Sequence, residues 1–300
     1  MSRSIQIGVL LLIIGILTAC GEGYEITSSG LQYKFINQGE GPQPEDGEYL
    51  MVHAIFTAQN DSVIFNSYAN DMLVPVRYDT LSIALQNTTL LEEGFYMMKK
   101  GDSASFRIQA ENLYERTFGA SLPPNIPRGS LITCQVKAEE ILTPQAYMQW
   151  QEEEIKKKQE KLSLQSKQQL ESDIAIIDAY LRENNLHAQT TASGVRYIIH
   201  NEGTGAYPSD GDTVLFHYQG KLLDGTVIID SKEKDPSPRS FVMGARQILT
   251  GWEEGIKLMK KGAEARLFIP SPLAYGATGL QNVVDPNTIL VIDIELIEIR

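Results

Sequence analysis

The sequence predicts an α+β protein in which one small domain occurs twice. Three observations support this prediction. Long segments of the chain match each other at a nearly constant offset, strand patterns dominate both copies, and a stretch rich in glutamine, glutamate and lysine separates them. We therefore expect two antiparallel sheets, each folded around one short helix, joined by a long helical linker.

The internal repeat covers most of each copy. Residues 29–53 align with residues 193–217 at an offset of 164 (193 − 29). The segment TLLEEGFYMMKKG, from Thr89, aligns with TGWEEGIKLMKKG, from Thr250, at an offset of 161 (250 − 89). These matches predict domains at 25–143 and 190–300.

Local patterns assign elements within each copy. LITCQVKAEEIL and ILVIDIELIEI are rich in strand-forming residues with apolar alternation, and the Asp-Gly pair at 224–225 is a strong hairpin signal. The repeated segment is the one clear helix. Thr89 with Glu92, and Thr250 with Glu253, have the spacing of a capping box at its start.

The segment 144–189 is predicted to be a helical linker. Glu152 and Lys156 begin a series of glutamate–lysine pairs four residues apart, an order that favours helix. Ile174 and Ile177 give the end of the segment an apolar face. That face can pack on a domain of the same chain or on a second chain, and we favour the first.

Residues 1–19 have the pattern of an export signal. Arg3 precedes an unbroken apolar run of 11 residues, 7–17, which is too short for a membrane span of roughly 20 residues. The run ends in Leu-Thr-Ala-Cys, which resembles the lipobox of bacterial lipoproteins, although a plain secretory signal is the alternative. The resemblance implies a lipid anchor at Cys20 and a place in the bacterial cell envelope, at the outer membrane or the periplasmic face in preference to the inner membrane. Cys134 is the one other cysteine, so no intrachain disulfide is expected after cleavage.

Charge and residue spacing exclude several classes of function. The net charge of −12 argues against nucleic-acid binding, which requires a basic surface. The four histidines match no metal-ligand spacing, and no activated nucleophile is evident. We expect no cofactor or metal, and a function based on an apolar cleft becomes more attractive.

Four segments of the second copy resemble a known family. FHYQG begins at Phe216, LDGTV at Leu223, GWEEG at Gly251 and LAYGATG at Leu273. In this order they are similar to the FKBP-type peptidyl-prolyl cis-trans isomerases, and the resemblance covers about 190–300. It implies an antiparallel half-barrel wrapped across a short helix, and catalysis of rotation about X–Pro bonds. The implied partners are proline-containing exported polypeptides.

The resemblance also assigns roles to individual residues. Trp252 would form the floor under the proline ring, Tyr218 would line the wall, and Tyr275 would offer its hydroxyl to a substrate carbonyl. Asp230 would supply the carboxylate of the cleft. The remaining residues expected to line the cleft are Ile229, Ile248, Leu249 with its backbone N–H as a donor, Val283, Val284 and Ile292.

The second copy departs from the family pattern in places. The hairpin before Asp230 has one extra residue, and Ile229 stands where phenylalanine is usual. Arg239 and Ile292 occupy positions where aromatic residues are common, and Leu280 one where histidine is frequent. A slip of one residue would turn Asp230 to the other face of its strand, so its placement depends on the hairpin.

The first copy lacks most of these residues. Its counterparts of the expected cleft residues are Leu91 for Trp252, Ala54 for Tyr218, Asn66 for Asp230 and Cys134 for Ile292, while Tyr114 matches Tyr275 but is followed by Glu115. We expect a first domain without isomerase activity. The rival hypothesis is that both copies are binding modules, in a chaperone or an envelope assembly factor.

Overall fold

The computed structural model describes residues 23–234 and 236–300, so the expected signal segment and Cys20 lie outside the described residues. The chain forms two compact units that divide between Glu154 and Ile155. Each unit has its own antiparallel sheet and hydrophobic core. The predicted α+β class with two antiparallel sheets is confirmed.

The first unit is built on seven strands and two short helices. In the sheet the strands lie in the order β1-β2-β6-β7-β3-β4, and β5 also pairs with β3. The elements are β1 (Glu25–Ile26), β2 (Gln32–Asn37), β3 (Tyr49–Thr57), β4 (Val63–Asn66), β5 (Val74–Arg77), α1 (Thr80–Ala84), α2 (Leu90–Tyr96), β6 (Ser103–Gln109) and β7 (Leu131–Leu142). A 3₁₀ turn at Ser67–Asn70 and a π-helical turn at Asn112–Thr117 complete the unit.

A long helix, α3 (Pro144–Glu183), follows the first sheet, as the composition of this segment predicts. The second sheet then repeats the first strand for strand, in the order β8-β9-β13-β14-β10-β11, and β12 also pairs with β10. Its elements are β8 (Gln189–Thr190), β9 (Arg196–Asn201), β10 (Thr213–Lys221), β11 (Val227–Asp230), α4 (Ser231–Lys234), β12 (Arg239–Val242), α5 (Thr250–Ile256), β13 (Glu264–Ile269) and β14 (Leu290–Ile299). Two 3₁₀ turns, Ser271–Leu273 and Gly276–Thr278, lie between β13 and β14.

The two short core helices begin differently. At α2 the predicted capping box is present, because Thr89 accepts from the Glu92 N–H and Glu92 accepts from the Thr89 N–H. At α5 the prediction is wrong. Leu249 is the N-cap residue, and the Glu253 carboxylate accepts the Gly244 N–H at 2.6 Å instead of folding back on the cap.

Each core helix lies close to its sheet at a glycine. A methyl group on Gly94 would come within 2.9 Å of the Phe106 ring, and one on Gly255 within 2.2 Å of Leu267 Cδ1. Both pairs occupy matching positions, 161 residues apart (255 − 94 and 267 − 106). A side chain at either glycine would push the helix away from the sheet.

The end of α3 is an integral part of the second unit. Ile177 and Leu181 are buried against Phe268, Ile289 and Val291. The apolar face expected near Ile177 therefore packs within the chain, as favoured from the sequence. The last turns of the segment predicted as a linker thus contribute to the core of the second unit.

Candidate active site in the second unit

The core helix and the central strand bring together the two aromatic residues expected to form the cleft. Trp252 lies on the buried face of α5 and is 7% exposed. The Tyr218 ring, on β10, lies edge-on to it with 4.6 Å between ring centroids. The two ring planes are inclined at 61°, so the pair can supply the floor and the wall expected of the cleft.

Ile248 and Leu249 border this pair at the start of α5. Both are half-buried and pack against the same core as Trp252. The Leu249 carbonyl accepts the N–H groups of Trp252 and Glu253. The Leu249 N–H itself makes no hydrogen bond with any residue in 23–234 or 236–300, so it is available as a donor.

Tyr275 stands between the two 3₁₀ turns that follow β13, and it packs against the same core. Its hydroxyl has no hydrogen-bond partner among the described residues. Tyr275 lies near enough to Tyr218 to act on it electrostatically. Burial raises the pKa of the Tyr218 phenol, the Arg239 charge opposes that rise, and Tyr275 adds to it slightly. The Tyr218 phenol therefore stays protonated at neutral pH. A tyrosine hydroxyl can donate a hydrogen bond, so both side chains offer a donor.

The remaining apolar candidates divide into two groups. Val284 and Ile292 are buried in the same core cluster as Trp252. Val283 and Ile229 are 51% and 44% exposed, so they lie at the rim of the site rather than in it. Sequence reasoning missed Ile228, which packs against this core beside the expected residues.

A β-bulge at the β10–β11 hairpin accounts for the extra residue noted in the sequence. Gly220 pairs with Ile229 and Lys221 with Val227, so Ile228 has no partner in the register. A side chain on Gly220 would meet Ile229 at 2.7 Å and Ile292 at 3.5 Å. Glycine here therefore allows Ile229 to pack closely against the strand, where a side chain would meet it.

The structure does not bring Asp230 to this cluster. Asp230 pairs with Gln219, and residues directly opposite in antiparallel strands share a face. Because Gly220, the next residue, faces Ile292, Gln219 and Asp230 point to the other side of the sheet. The Asp230 carboxylate accepts the Gln219 side-chain amide at 2.7 Å and the Lys232 N–H at 2.8 Å. These hydrogen bonds, that of Lys232 first, hold the pKa of Asp230 below its usual value.

The face that carries Asp230 is polar and internally paired. Arg266 binds the Asp293 carboxylate through two nitrogens at 2.6 and 2.9 Å, and Lys221 binds it at 2.8 Å. A recess of about 420 Å³ lies on this face. Its carboxylates are largely matched by cations, whereas the opposite face of the sheet carries the hydrophobic core cluster.

The histidine nearest the site has a structural contact. His217 Nδ1 lies 3.4 Å from Ser231 Oγ, and that hydroxyl accepts the Tyr218 N–H at 2.9 Å. The first unit repeats this contact with His53 and Ser67, at 3.0 Å. His217 is therefore a strand residue with a hydrogen-bond partner.

The matching region of the first unit is filled. Leu91, Ala54 and Cys134 are buried in its core, and burial strongly raises the pKa of the Cys134 thiol. Phe56 stands at the position of Gly220, paired with Phe65 as Gly220 is paired with Ile229. The Phe56 ring lies 5.2 Å from the Phe65 ring, so an aromatic pair stands where the second unit has Gly220 and Ile229.

Comparison with known proteins agrees with this geometry. Residues 205–297 match the family described as FKBP-type peptidyl-prolyl cis-trans isomerase. The chain is 41% identical over 107 residues to FK506-binding protein 1 of Dictyostelium discoideum, which covers 36% of this chain and 99% of that protein. The fold of the second unit is a seven-stranded antiparallel sheet packed on one short helix, with Trp252, Tyr218 and Tyr275 in or against one core cluster. The chain belongs to the FKBP-type peptidyl-prolyl cis-trans isomerase family.

Two bacterial relatives match a longer part of the chain. It is 36% identical over 167 residues to the "Probable FKBP-type peptidyl-prolyl cis-trans isomerase FkpA" of Neisseria meningitidis serogroup B, covering 55% of this chain and 59% of that protein. It is 37% identical over 142 residues to the "Outer membrane protein MIP" of Legionella longbeachae, covering 47% of this chain and 60% of that protein. The chain thus spans about three fifths of the length of these two relatives. The crystal structure of FkpA from Escherichia coli has a TM-score of 0.38 at 29% identity, covering 53% of this chain and 74% of that chain.

Proposed function

We propose that the chain is an exported, lipid-anchored peptidyl-prolyl cis-trans isomerase and folding factor, with its active cleft in the second unit. The observation that carries this proposal is the contact of Tyr218 with Trp252, 4.6 Å between ring centroids, beside two donors that have no other partner. Those donors are the Tyr275 hydroxyl and the Leu249 N–H. Family membership supports the assignment.

The chemistry requires no nucleophile. Rotation about an X–Pro bond is slow because the twisted amide loses its resonance, a barrier of about 18–20 kcal/mol. An enzyme accelerates it by binding the twisted amide more tightly than the planar one. The twisted amide has a smaller dipole than the planar amide. An apolar cleft therefore stabilises the twisted form relative to the planar form more than water does.

Each residue then has a defined part. Trp252 supports the proline ring and Tyr218 with Ile292 encloses it. The Tyr275 hydroxyl and the Leu249 N–H donate to substrate carbonyl groups and fix the peptide in the cleft. We assign Asp230 no contact with the substrate, because its carboxylate is held on the opposite face by Gln219.

The test is isomerisation of a panel of short X–Pro peptides by the chain from Gly21 onward. We expect the unmodified chain to accelerate the reaction and Tyr275→Phe to lower kcat/KM by about tenfold, since a hydrogen bond made in the transition state contributes about 1.4 kcal/mol. Trp252→Leu should abolish the acceleration. Trp150→Phe, which alters the other tryptophan, is the matched control and should leave kcat/KM unchanged.

Two outcomes would reject the proposal. One is a rate no faster than the uncatalysed reaction with every peptide. The other is an acceleration that survives both Trp252→Leu and Tyr275→Phe, which would place catalysis outside this cleft. Because Trp252 is buried, its variant is first compared with the unmodified chain by circular dichroism.

We further propose that Cys20 anchors the protein to the bacterial cell envelope, where its partners are proline-containing exported polypeptides. The pattern around Cys20 supports an anchor, and the name of the Legionella relative supports the outer membrane. Within the described part of the chain, no helix is long and apolar enough to cross a membrane. Cys20→Ala should therefore move the protein from the membrane fraction to the soluble fraction, and unchanged fractionation would contradict the anchor.

For the first unit we propose client binding without isomerase activity. Phe56 and Phe65 stand where the second unit has Gly220 and Ile229, and Leu91 replaces Trp252, so the proline ring lacks the residues of its site there. Phe118 is 48% exposed, and the chain from Gly119, the next residue, lines a recess of about 510 Å³ together with Leu122, Pro123 and Pro124. An exposed apolar group next to such a recess is suited to an unfolded segment.

Client binding and catalysis can be separated in the whole chain. With Tyr275→Phe, we expect aggregation of a chemically denatured client to be suppressed as well as by the unmodified chain. With Phe118→Ser, suppression should weaken while peptide isomerisation stays normal. If Phe118→Ser has no effect on aggregation, the first unit does not bind clients through this recess.

A further inference from the structure

Asp173 is a buried carboxylate of α3 that lies far along the chain from the residues of the cleft. It is 1% exposed. Its Oδ2 accepts the backbone N–H of Ser271 at 2.7 Å, across 98 residues of sequence, and its Oδ1 accepts the Gln169 side-chain amide at 2.7 Å. A buried carboxylate is costly unless it is hydrogen-bonded, and both oxygens of Asp173 are.

Ser271 begins the loop that carries Tyr275. It is fully buried directly after β13, where the 3₁₀ turn Ser271–Leu273 starts. Within that turn Leu273 lies against the core helix, since a methyl group on Gly251 would be 3.2 Å from its carbonyl oxygen. Tyr275 follows two residues later. A shift at Ser271 would therefore move Tyr275 relative to Trp252, the residue after Gly251.

We infer that Asp173 is a positioning residue of the cleft. Its carboxylate holds the first residue of the Tyr275 loop in place, so that α3 takes part in setting the geometry of the site. This inference rests on the proposed function of that cleft. The helix predicted as a linker would then help to position the residues of the cleft in the second unit.

A second carboxylate on the same helix separates positioning from simple attachment. Asp178 binds Arg196 through two nitrogens, each at 2.8 Å. Arg196 lies on β9 and also donates to the Gly194 carbonyl. Asp178 thus fastens α3 to the unit without contacting the Tyr275 loop, which makes Asp178→Ala the matched control for Asp173→Ala.

The experiment combines amide hydrogen exchange with peptide isomerisation in the chain from Gly21 onward. Asp173→Ala should speed exchange across residues 271–279 and lower kcat/KM about tenfold. Asp173→Asn should restore most of both, because its amide oxygen can still accept the Ser271 N–H. Asp178→Ala should lower the unfolding midpoint and leave both readouts of the loop unchanged.

The result that overturns the inference is equal behaviour of the two alanine variants, either both affecting the loop or neither. If Asp173→Ala does not fold, Asp173→Asn tests the same hydrogen bond. Because asparagine still accepts the Ser271 N–H, hydrogen exchange and kcat/KM of this variant must resemble those of the unmodified chain. If the unmodified chain does not accelerate isomerisation at all, the proposed function fails. Exchange across residues 271–279 still decides whether Asp173 holds the loop.

Discussion

Arg239 places a positive charge at the edge of the cleft. It pairs in register with Phe216, so it lies on the face of the sheet that carries Tyr218 two residues further along β10. It is exposed and forms no ion pair with any described residue. Its charge acts on the Tyr218 phenol. A substrate carboxylate close to the proline would therefore meet an unmatched cation.

We expect the cleft to favour X–Pro peptides with an acidic residue next to the proline over neutral ones, by about two- to fivefold, the range of an exposed ion pair. Arg239→Leu should abolish the preference and Arg239→Glu should reverse it. Arg182→Leu removes the same charge elsewhere and is the control. Since the net charge of −12 by itself repels acidic peptides, a general field effect would give the opposite order.

Asp230 provides the complementary prediction at this scale. The Asp230 carboxylate points away from Trp252 and accepts a hydrogen bond from Gln219. Asp230→Asn should therefore change kcat/KM by less than about twofold, the size of effect expected of a surface substitution that makes no contact with the substrate. The same peptide assay measures it. A loss as large as that of Tyr275→Phe would mean that the carboxylate reaches the substrate.

The β10–β11 hairpin and its counterpart in the first unit, β3–β4, differ at one position beside the proposed cleft. Both hairpins carry a bulge at the same place, and the residue before the bulge is Gly220 in one unit and Phe56 in the other. We expect Gly220→Phe to fill the second cleft and to abolish isomerisation. A side chain at this position meets Ile229 at 2.7 Å, so the Ile229 side chain, which is 44% exposed, must move aside. Because the first unit accommodates phenylalanine at the matching position, we expect the variant to fold and its circular dichroism to be unchanged. Retained activity would place the proline site away from Gly220.

Asp293 links three strands, because it binds Arg266 on β13 and Lys221 on β10. Burial alone would raise the pKa of Asp293, but the hydrogen bonds and charges of Arg266 and Lys221 outweigh it and hold the pKa below its usual value. A lowered pKa in the folded state means that the ionised carboxylate stabilises the fold above the unfolded value of about 3.9. That stability is lost as the pH falls through the folded value.

Asp293→Asn should therefore lower the free energy of unfolding of the second unit by about 1–2 kcal/mol at pH 7, as expected for a charged hydrogen-bonded pair. The difference from the unmodified chain should shrink as the pH is lowered below about 4. Urea unfolding in a Trp150→Phe background measures it, because Trp252 is then the one indole in the chain. A difference independent of pH would show that the charge of Asp293 does not stabilise the fold.

At the scale of the whole molecule, the sequence predicts the fold class and the residues that meet in the cleft, but not the direction of every side chain. Trp252, Tyr218 and Tyr275 are identifiable because their motifs are long and occur in order. The side of the sheet to which Asp230 points depends on the bulge at Ile228. The sequence shows one extra residue in the hairpin but not where that residue is accommodated. The capping box predicted at Thr250 does not form, because the Glu253 carboxylate accepts the N–H of Gly244, a residue outside the Thr250–Glu253 spacing. The bond from Asp173 to Ser271 joins segments that no local pattern connects.

The burial of Cys134 sets how the folded chain behaves toward thiol reagents. After cleavage before Cys20, Cys134 would be the single cysteine with a free thiol, and it is fully buried with its pKa raised. A thiol reagent should not react with the folded chain from Gly21 onward and should label one site per chain in denaturant. Labelling of the folded chain would mean that β7 opens readily.

The hydrogen bond between Asp173 and Ser271 also sets an order of assembly. Because the chain is synthesised from its N-terminus, α3 is made well before Ser271, which lies 98 positions after Asp173. Until β13 and β14 arrive, Ile177 and Leu181 have no Phe268 or Val291 to cover them. A contact so distant in sequence forms late, because the intervening chain must first be ordered. The proposed cleft therefore acquires its final shape only when the last tenth of the polypeptide, from Ser271 onward, has folded. A chain that ends before this segment is expected not to bind a substrate proline in the cleft.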